Sequence, residues 1–174
     1  MGNMKALVVV VLASLFAVAP VSAVAADKIA VVDIARAIFG SKAAQESLKQ
    51  AEQSADFVAL KAKYEGSAAD LQALAKEAET KRLTWSQEQA AEHQKKMEYA
   101  KADAELAGRK IQGEQKQTQQ RIMQQLGPKA QEALQEVIKE EGVTILLRAE
   151  SVLMSSPESN LTAKVADRLN QKTD

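Results

Sequence analysis

Two short apolar segments stand at opposite ends of this chain, and nearly everything between them is built of helix formers. Lys28-Ile29-Ala30-Val31-Val32-Asp33 reads as a β-branched strand ended by Asp33, which can cap a turn of helix over 34–39. Far downstream, Val143–Ala149 and Val152–Ser155 read as two further strands, the second closed by Pro157. These three can share one sheet only if the roughly 100 residues between them travel out and return. The first two strands are apolar on both faces, Ile29 and Val31 against Ala30 and Val32, and Val143, Ile145 and Leu147 against Leu146. A two-faced apolar sheet with open edges needs a covering surface, and self-association supplies one.

The intervening segment, from Lys42 to about Glu141, is rich in Ala, Glu, Lys and Gln. Gly40 interrupts the chain ahead of it and Ser41 is a suitable N-cap. Its apolar residues recur at spacings of three and four: Ala44, Leu48, Ala51, Ala55 and Val58, then a shifted register of Phe57, Leu60, Tyr64, Leu71, Leu74 and Ala78. The pattern resumes as Ala90, His93, Met97, Ala100, Ala104, Ala107 and Ile111. This is coiled-coil periodicity with a stripe made largely of Ala. Thr84, Trp85 and Ser86 are weaker helix formers than their neighbours, and Ser86 with Gln89 has capping-box form. Gly127-Pro128 is a second expected break, since Pro suits the first turn of a new helix. The arms Lys42–Leu83 and Gln87–Leu126 would each reach roughly 60 Å at 1.5 Å per residue. Matched arms around a cap favour an antiparallel hairpin over a continuous rod. Gly142 should end the return segment, and Asn160 should cap a last helix, Leu161–Asn170, with Leu161, Val165, Ala166 and Leu169 on one face.

Composition narrows the chemistry. With no Cys among 174 residues, disulfides, thiolate nucleophiles, zinc ribbons and cysteine lipidation are excluded. The single His, His93, leaves no scope for a His metal cluster, and it falls in the hairpin seam, where a structural role is expected. No catalytic, cofactor or metal residue can be nominated, and an enzyme is not expected. No glycine loop for nucleotide phosphates is present. Lys plus Arg and Asp plus Glu both number 23, so no nucleic-acid footprint is visible. The pairs Glu77/Lys81, Glu92/Lys96 and Glu105/Arg109, and the Gln-rich run 112–125, mark solvated helix faces.

The amino terminus has the form of a signal peptide. Lys5 is the positive end, Ala6–Ala19 an apolar run too short to span a membrane, and Ala23-Val24-Ala25 an A-x-A site. Cleavage is expected near Ala25, with Ala23 and Ala26 as alternatives, giving an exported, periplasmic chain.

The mature start Asp27–Asp33, Leu126-Gly127-Pro128, Gly142 leading into Val143–Leu147, and Val152-Leu153-Met154 followed by Asn160-Leu161-Thr162 and Leu169-Asn170 together resemble the Skp/OmpH family of periplasmic chaperones. The match covers about a third of the mature chain specifically, and the middle only in length and helical character. The resemblance implies a mainly α fold with a small β body (α+β), in which a long helical-hairpin tentacle projects from a short-stranded trimerisation domain. Three such arms would surround a cavity holding unfolded outer-membrane proteins, without nucleotide or other cofactor. The organisation would be signal peptide 1–25, body 26–41 and 128–174, and tentacle 42–127. This chain departs from the strongly basic members of the family: residues 42–141 carry 16 Lys and Arg against 17 Asp and Glu. This near-neutral charge puts any electrostatic attraction to lipopolysaccharide or anionic membrane in doubt. The competing reading is a structural or adaptor coiled coil of the periplasm, although such hairpins carry larger flanking β domains.

Under this reading Ile29, Val31, Val143, Ile145 and Leu147 form the trimer body. Client contacts would come from the largest arm side chains: Trp85 at the tip, Met97, Tyr99, Phe57 and Tyr64, with Phe57, Tyr64 and Met97 also suited to the seam. Gly66 and Gly108 fall at nearly one level of the two arms, where they would either form a hinge or allow close helix approach.

Overall fold

The computed structural model describes residues 27–173, so the signal-peptide segment lies outside the described residues. Strand β1 (Ile29–Val32) leads into helices α1 (Ile34–Phe39), α2 (Lys42–Glu52) and α3 (Ala55–Lys81). After a tip loop, α4 (Gln87–Glu141) returns to β2 (Ile145–Arg148). Two 3₁₀ turns, Ala149–Ser151 and Pro157–Ser159, precede α5 (Thr162–Thr173). The architecture is mainly α with a small β body, as the sequence suggests.

β1 and β2 pair in parallel, Ile29 opposite Ile145 and Val32 opposite Arg148. A parallel pair needs a crossover, and here the whole hairpin is that crossover. Ala30 and Val32 face inward onto a core shared by Ala37 and Ile38 of α1, Ile122, Leu126, Ala130, Leu134 and Val137 of α4, and Val165 and Leu169 of α5. Side-chain caps fix each entry to a helix. The Asp33 carboxylate accepts from the Arg36 amide at 2.8 Å, and the buried Ser41 hydroxyl accepts from Ala44. Asn160 Oδ1 accepts from the Thr162 amide at 3.0 Å in an Asx turn, so Asn160 sits one residue ahead of the cap position and α5 begins at Thr162 rather than Leu161. Gly142, at φ 63°, ends α4 in the left-handed conformation that glycine adopts without strain.

Three expectations are corrected. The outgoing arm is not one helix: α2 stops at Glu52 and α3 starts at Ala55, with Ser54 accepting from the Phe57 amide as a new N-cap. The break coincides with the shift between the two apolar registers, because a straight helix cannot keep both stripes on one partner. Conversely, no break occurs at Gly127-Pro128, and α4 runs through it for 55 residues. Pro128 costs an intrahelical hydrogen bond. However, it lies on the exposed side, where water can serve the freed carbonyl, while Leu126 and Ala130 anchor the helix on its buried side. The sheet has two strands rather than three. The turn Ala149–Ser151 carries the chain off the ladder, and Val152–Ser155 runs on unpaired. What completes the body's edge is a single parallel bridge between Val31 and Asn160, with the Leu161 amide donating to Val31 at 2.8 Å.

Candidate functional site

The described residues present two open surfaces, one on the arm and one on the body. On the arm, α3 and α4 pack antiparallel along a seam of small residues. Ser67, Ala104 and Ala107 are its most buried members, and Leu60, Leu71, Leu74, Met97 and Ala100 are half-buried. Where Ser67, Ala104 and Ala107 meet, the helices come close and leave no room for an aromatic ring. Tyr64 therefore lies over the seam rather than in it, 44% exposed, and Tyr99 points away at 72%. Val58, Leu83 and Leu106 are also exposed. Phe57 is half-buried beside the α2–α3 break.

Trp85 makes a contact that its tip position did not announce. Its ring stacks on His93 with centroids 4.4 Å apart, and His93 Nε2 lies 3.0 Å from the Leu74 carbonyl of α3. Tip loop, α4 and α3 thus meet at one point. The capping box supports it: Ser86 Oγ accepts from the Gln89 amide while Gln89 Oε1 accepts from the Ser86 amide. A Cβ on Gly66 would meet nothing within 4 Å, so this glycine serves no close approach. One on Gly108 would touch the Tyr64 ring at 3.6 Å, an ordinary contact.

On the body, Ile29, Ile145 and Leu147 lie together on the outer face of the sheet, 51, 44 and 40% exposed. Val31 is covered and Val143 packs against the core. Leu153 and Met154, in the unpaired segment, are almost wholly exposed. They were legible as apolar residues but not as surface, because they read as strand.

Charges brace the body from its other side. Glu141 receives Lys164 and Lys28, the latter at 2.7 Å, and these hydrogen bonds bring its carboxyl down to about 2. Lys172 and Arg168 hold Glu136 below its ordinary value in the same way. Arg168 also reaches Glu140 at 2.7 Å. Among the described residues, no group of three His, Asp or Glu could hold a metal ion, and no helix is long and apolar enough to cross a membrane.

These features define a class: a small α+β body carrying a long helical hairpin, with apolar surface left open on both. The family model described as Outer membrane protein (OmpH-like) matches residues 28–169, and the chain belongs to that family. Among solved structures, the chain is similar to an OmpH-like outer membrane chaperone from Caulobacter crescentus CB15. Identity is 20%, coverage 84% of this chain and 85% of that one, and the TM-score 0.48. No curated protein matches the chain.

Proposed function

We propose that the chain is a periplasmic chaperone that holds unfolded outer-membrane proteins between its arms, without ATP, until they insert. The observation that carries this reading is the arm itself. Tyr64, Tyr99, Leu83, Leu106 and Val58 stand exposed along it. Several weak apolar contacts on long arms bind many sequences by effective concentration rather than by one deep pocket. Family membership supports the same role, and the leader-like segment Lys5–Ala25 supports export. The working unit in this reading is a homotrimer, whose subunits cover one another's Ile29, Ile145, Leu147, Leu153 and Met154. In this reading the body also takes in the start of α2 and the inner turns of α4, where Ala44, Ile122 and Leu126 join its core, so the tentacle is shorter than 42–127 and α4 spans both parts. Trp85 serves the tip contact with His93 and offers clients only its open edge.

The test is aggregation of an unfolded β-barrel membrane protein, with light scattering to follow the oligomer. Protection at substoichiometric trimer, unchanged by ATP, is the expected result. Protection that requires ATP overturns the holdase reading, and none at all favours a structural or adaptor coiled coil instead. Leu147→Asp separates assembly from folding, because the side chain is half-open in one chain yet would be enclosed in a trimer. An unpaired charge enclosed there costs several kcal/mol. The variant should therefore stay helical and scatter as a monomer.

A further inference from the structure

The α2–α3 break has a consequence on the facing helix. Where the outgoing helix is interrupted at Gln53-Ser54, α4 continues unbroken, and the two enclose a cleft of about 510 Å³. Its apolar walls come from Leu48, Ala51, Phe57 and Ile122. Gln115, Gln119 and Gln125 stand around it on α4, and their side-chain amides make no hydrogen bond to a described residue. Three carboxylates, Glu52, Asp56 and Glu114, face one guanidinium, Arg121, and none of the four is ion-paired with a described residue. Lys63 and Lys110 lie outside this lining but share the adjoining groove with Asp56 and Glu114, where Lys63 pairs with Asp103 at 3.2 Å, so the three carboxylates outnumber the two remaining cations, Arg121 and Lys110. The kink is pinned, since Ser54 Oγ donates to the Ala51 carbonyl at 2.8 Å while accepting from Phe57.

We infer that this cleft is a seat for an extended client segment: an apolar side chain enters between Leu48, Phe57 and Ile122, the α4 glutamines bond its main chain, and a neighbouring Lys or Arg of the client meets the carboxylates. The inference rests on the chaperone reading and gives it a place on the arm. A carboxamide carries both a donor and an acceptor, so it matches a peptide unit whatever the sequence. Gln115 and Gln119 are four residues apart on α4, about 6.0 Å along the helix, close to the two-residue repeat of extended chain, about 6.6 Å. The segments of a β-barrel membrane protein alternate apolar and polar residues, which suits one apolar seat flanked by polar partners. The carboxylate excess selects against acidic segments.

The experiment uses the mature full-length protein and fluorescein-labelled peptides of alternating Val and Ser, ended by Lys or by Glu, with binding read by anisotropy. The Lys-ended peptide should bind several-fold more tightly, and Glu114→Lys should abolish that preference. The triple change Gln115→Ala, Gln119→Ala, Gln125→Ala keeps good helix formers at these positions and should weaken the Lys-ended peptide by about tenfold, as three modest hydrogen bonds would. Ala51→Leu, which fills the cleft, should weaken it as well. Equal affinity for the two peptides, or unchanged binding by the triple variant, overturns the inference. So does a triple variant that loses the peptide yet protects an unfolded β-barrel protein as well as the unmodified protein. If the unmodified protein fails to protect any client, the chaperone reading falls, and the anisotropy results still decide the cleft.

Discussion

Body and arm are held together differently. In the body, Ile38, Ile122, Leu161, Val165 and Leu169 are fully enclosed, and short elements from both ends of the chain meet around them. In the arm, the buried positions of α3 and the outer part of α4 are Ser67, Ala104 and Ala107. The body is fixed by tertiary burial, whereas the arm depends on helix propensity, end caps and a shallow seam. Opening free energies differ across one molecule in this way, and elements with few buried contacts sit at the low end. Under the proposed function, the part that holds its shape is the part that would assemble, and the part that yields is the part that would meet clients.

The largest break in this contrast comes from the body. Leu169→Ala removes a fully buried side chain from α5 and should cost about 2–5 kcal/mol, read as a lower midpoint in denaturant. Leu74→Ala in the seam, half-buried, should cost clearly less, and equal losses would mean that the arm is as firmly packed as the body. The next test stiffens the arm. Gly66→Ala with Gly108→Ala should gain about 1 kcal/mol of helix propensity at each site, since neither added methyl meets a clash. If these glycines form a hinge, spin labels at the tips will report a narrower distance distribution, with poorer protection of large clients. An unchanged width assigns the arm's motion elsewhere, the α2–α3 break being the nearest discontinuity.

Smaller again is the tip cap. Ser86→Ala deletes one half of the capping box and should cost about 1 kcal/mol, seen as faster amide exchange near Gln89 and unchanged exchange in the body. The smallest effect is electrostatic and belongs to the body. Glu141 titrates at about 2 when folded against 4.5 ordinarily, so its contribution is complete above pH 4.5 and is lost as pH falls towards 2. An exposed cluster such as this contributes modestly. A midpoint that falls between pH 4.5 and 2 in the unmodified protein, and falls less in Glu141→Gln, is the expected pattern.

How much of this could be read from residues alone depended on whether the signal was local. The tip was legible because Ser86 and Gln89 form their cap within one turn, and the α4 seam because His93, Met97, Ala100, Ala104, Ala107 and Ile111 keep one phase. The α2–α3 break left a trace in the shifted stripe, but it reads as a break only when Ser54 is recognised as a cap. Pro128 misled because its local penalty is real, and burial on the opposite side of α4 overrides it. Val152–Ser155 misled because β-branched and apolar character records a preference for being covered, not the presence of a partner strand. Of the proposed client residues, Tyr99 and Tyr64 were legible as large arm side chains. The Trp85–His93 stack was not, because it joins a loop to a helix position eight residues on. The cleft was invisible for the same reason, being the space between an interrupted helix and a continuous one.

The pairing of Ile29 with Ile145 also sets an order of events. A chain that appears amino end first exposes β1 at once, but its partner strand follows only after the entire hairpin has emerged. Helices α3 and α4 draw on neighbours a few residues away and can form as they appear, whereas the sheet has a high contact order and must wait. For most of its synthesis or translocation, the molecule is thus an arm without a base. Its own β1 spends that interval as an unpaired apolar strand, the same condition as the segments it is proposed to protect.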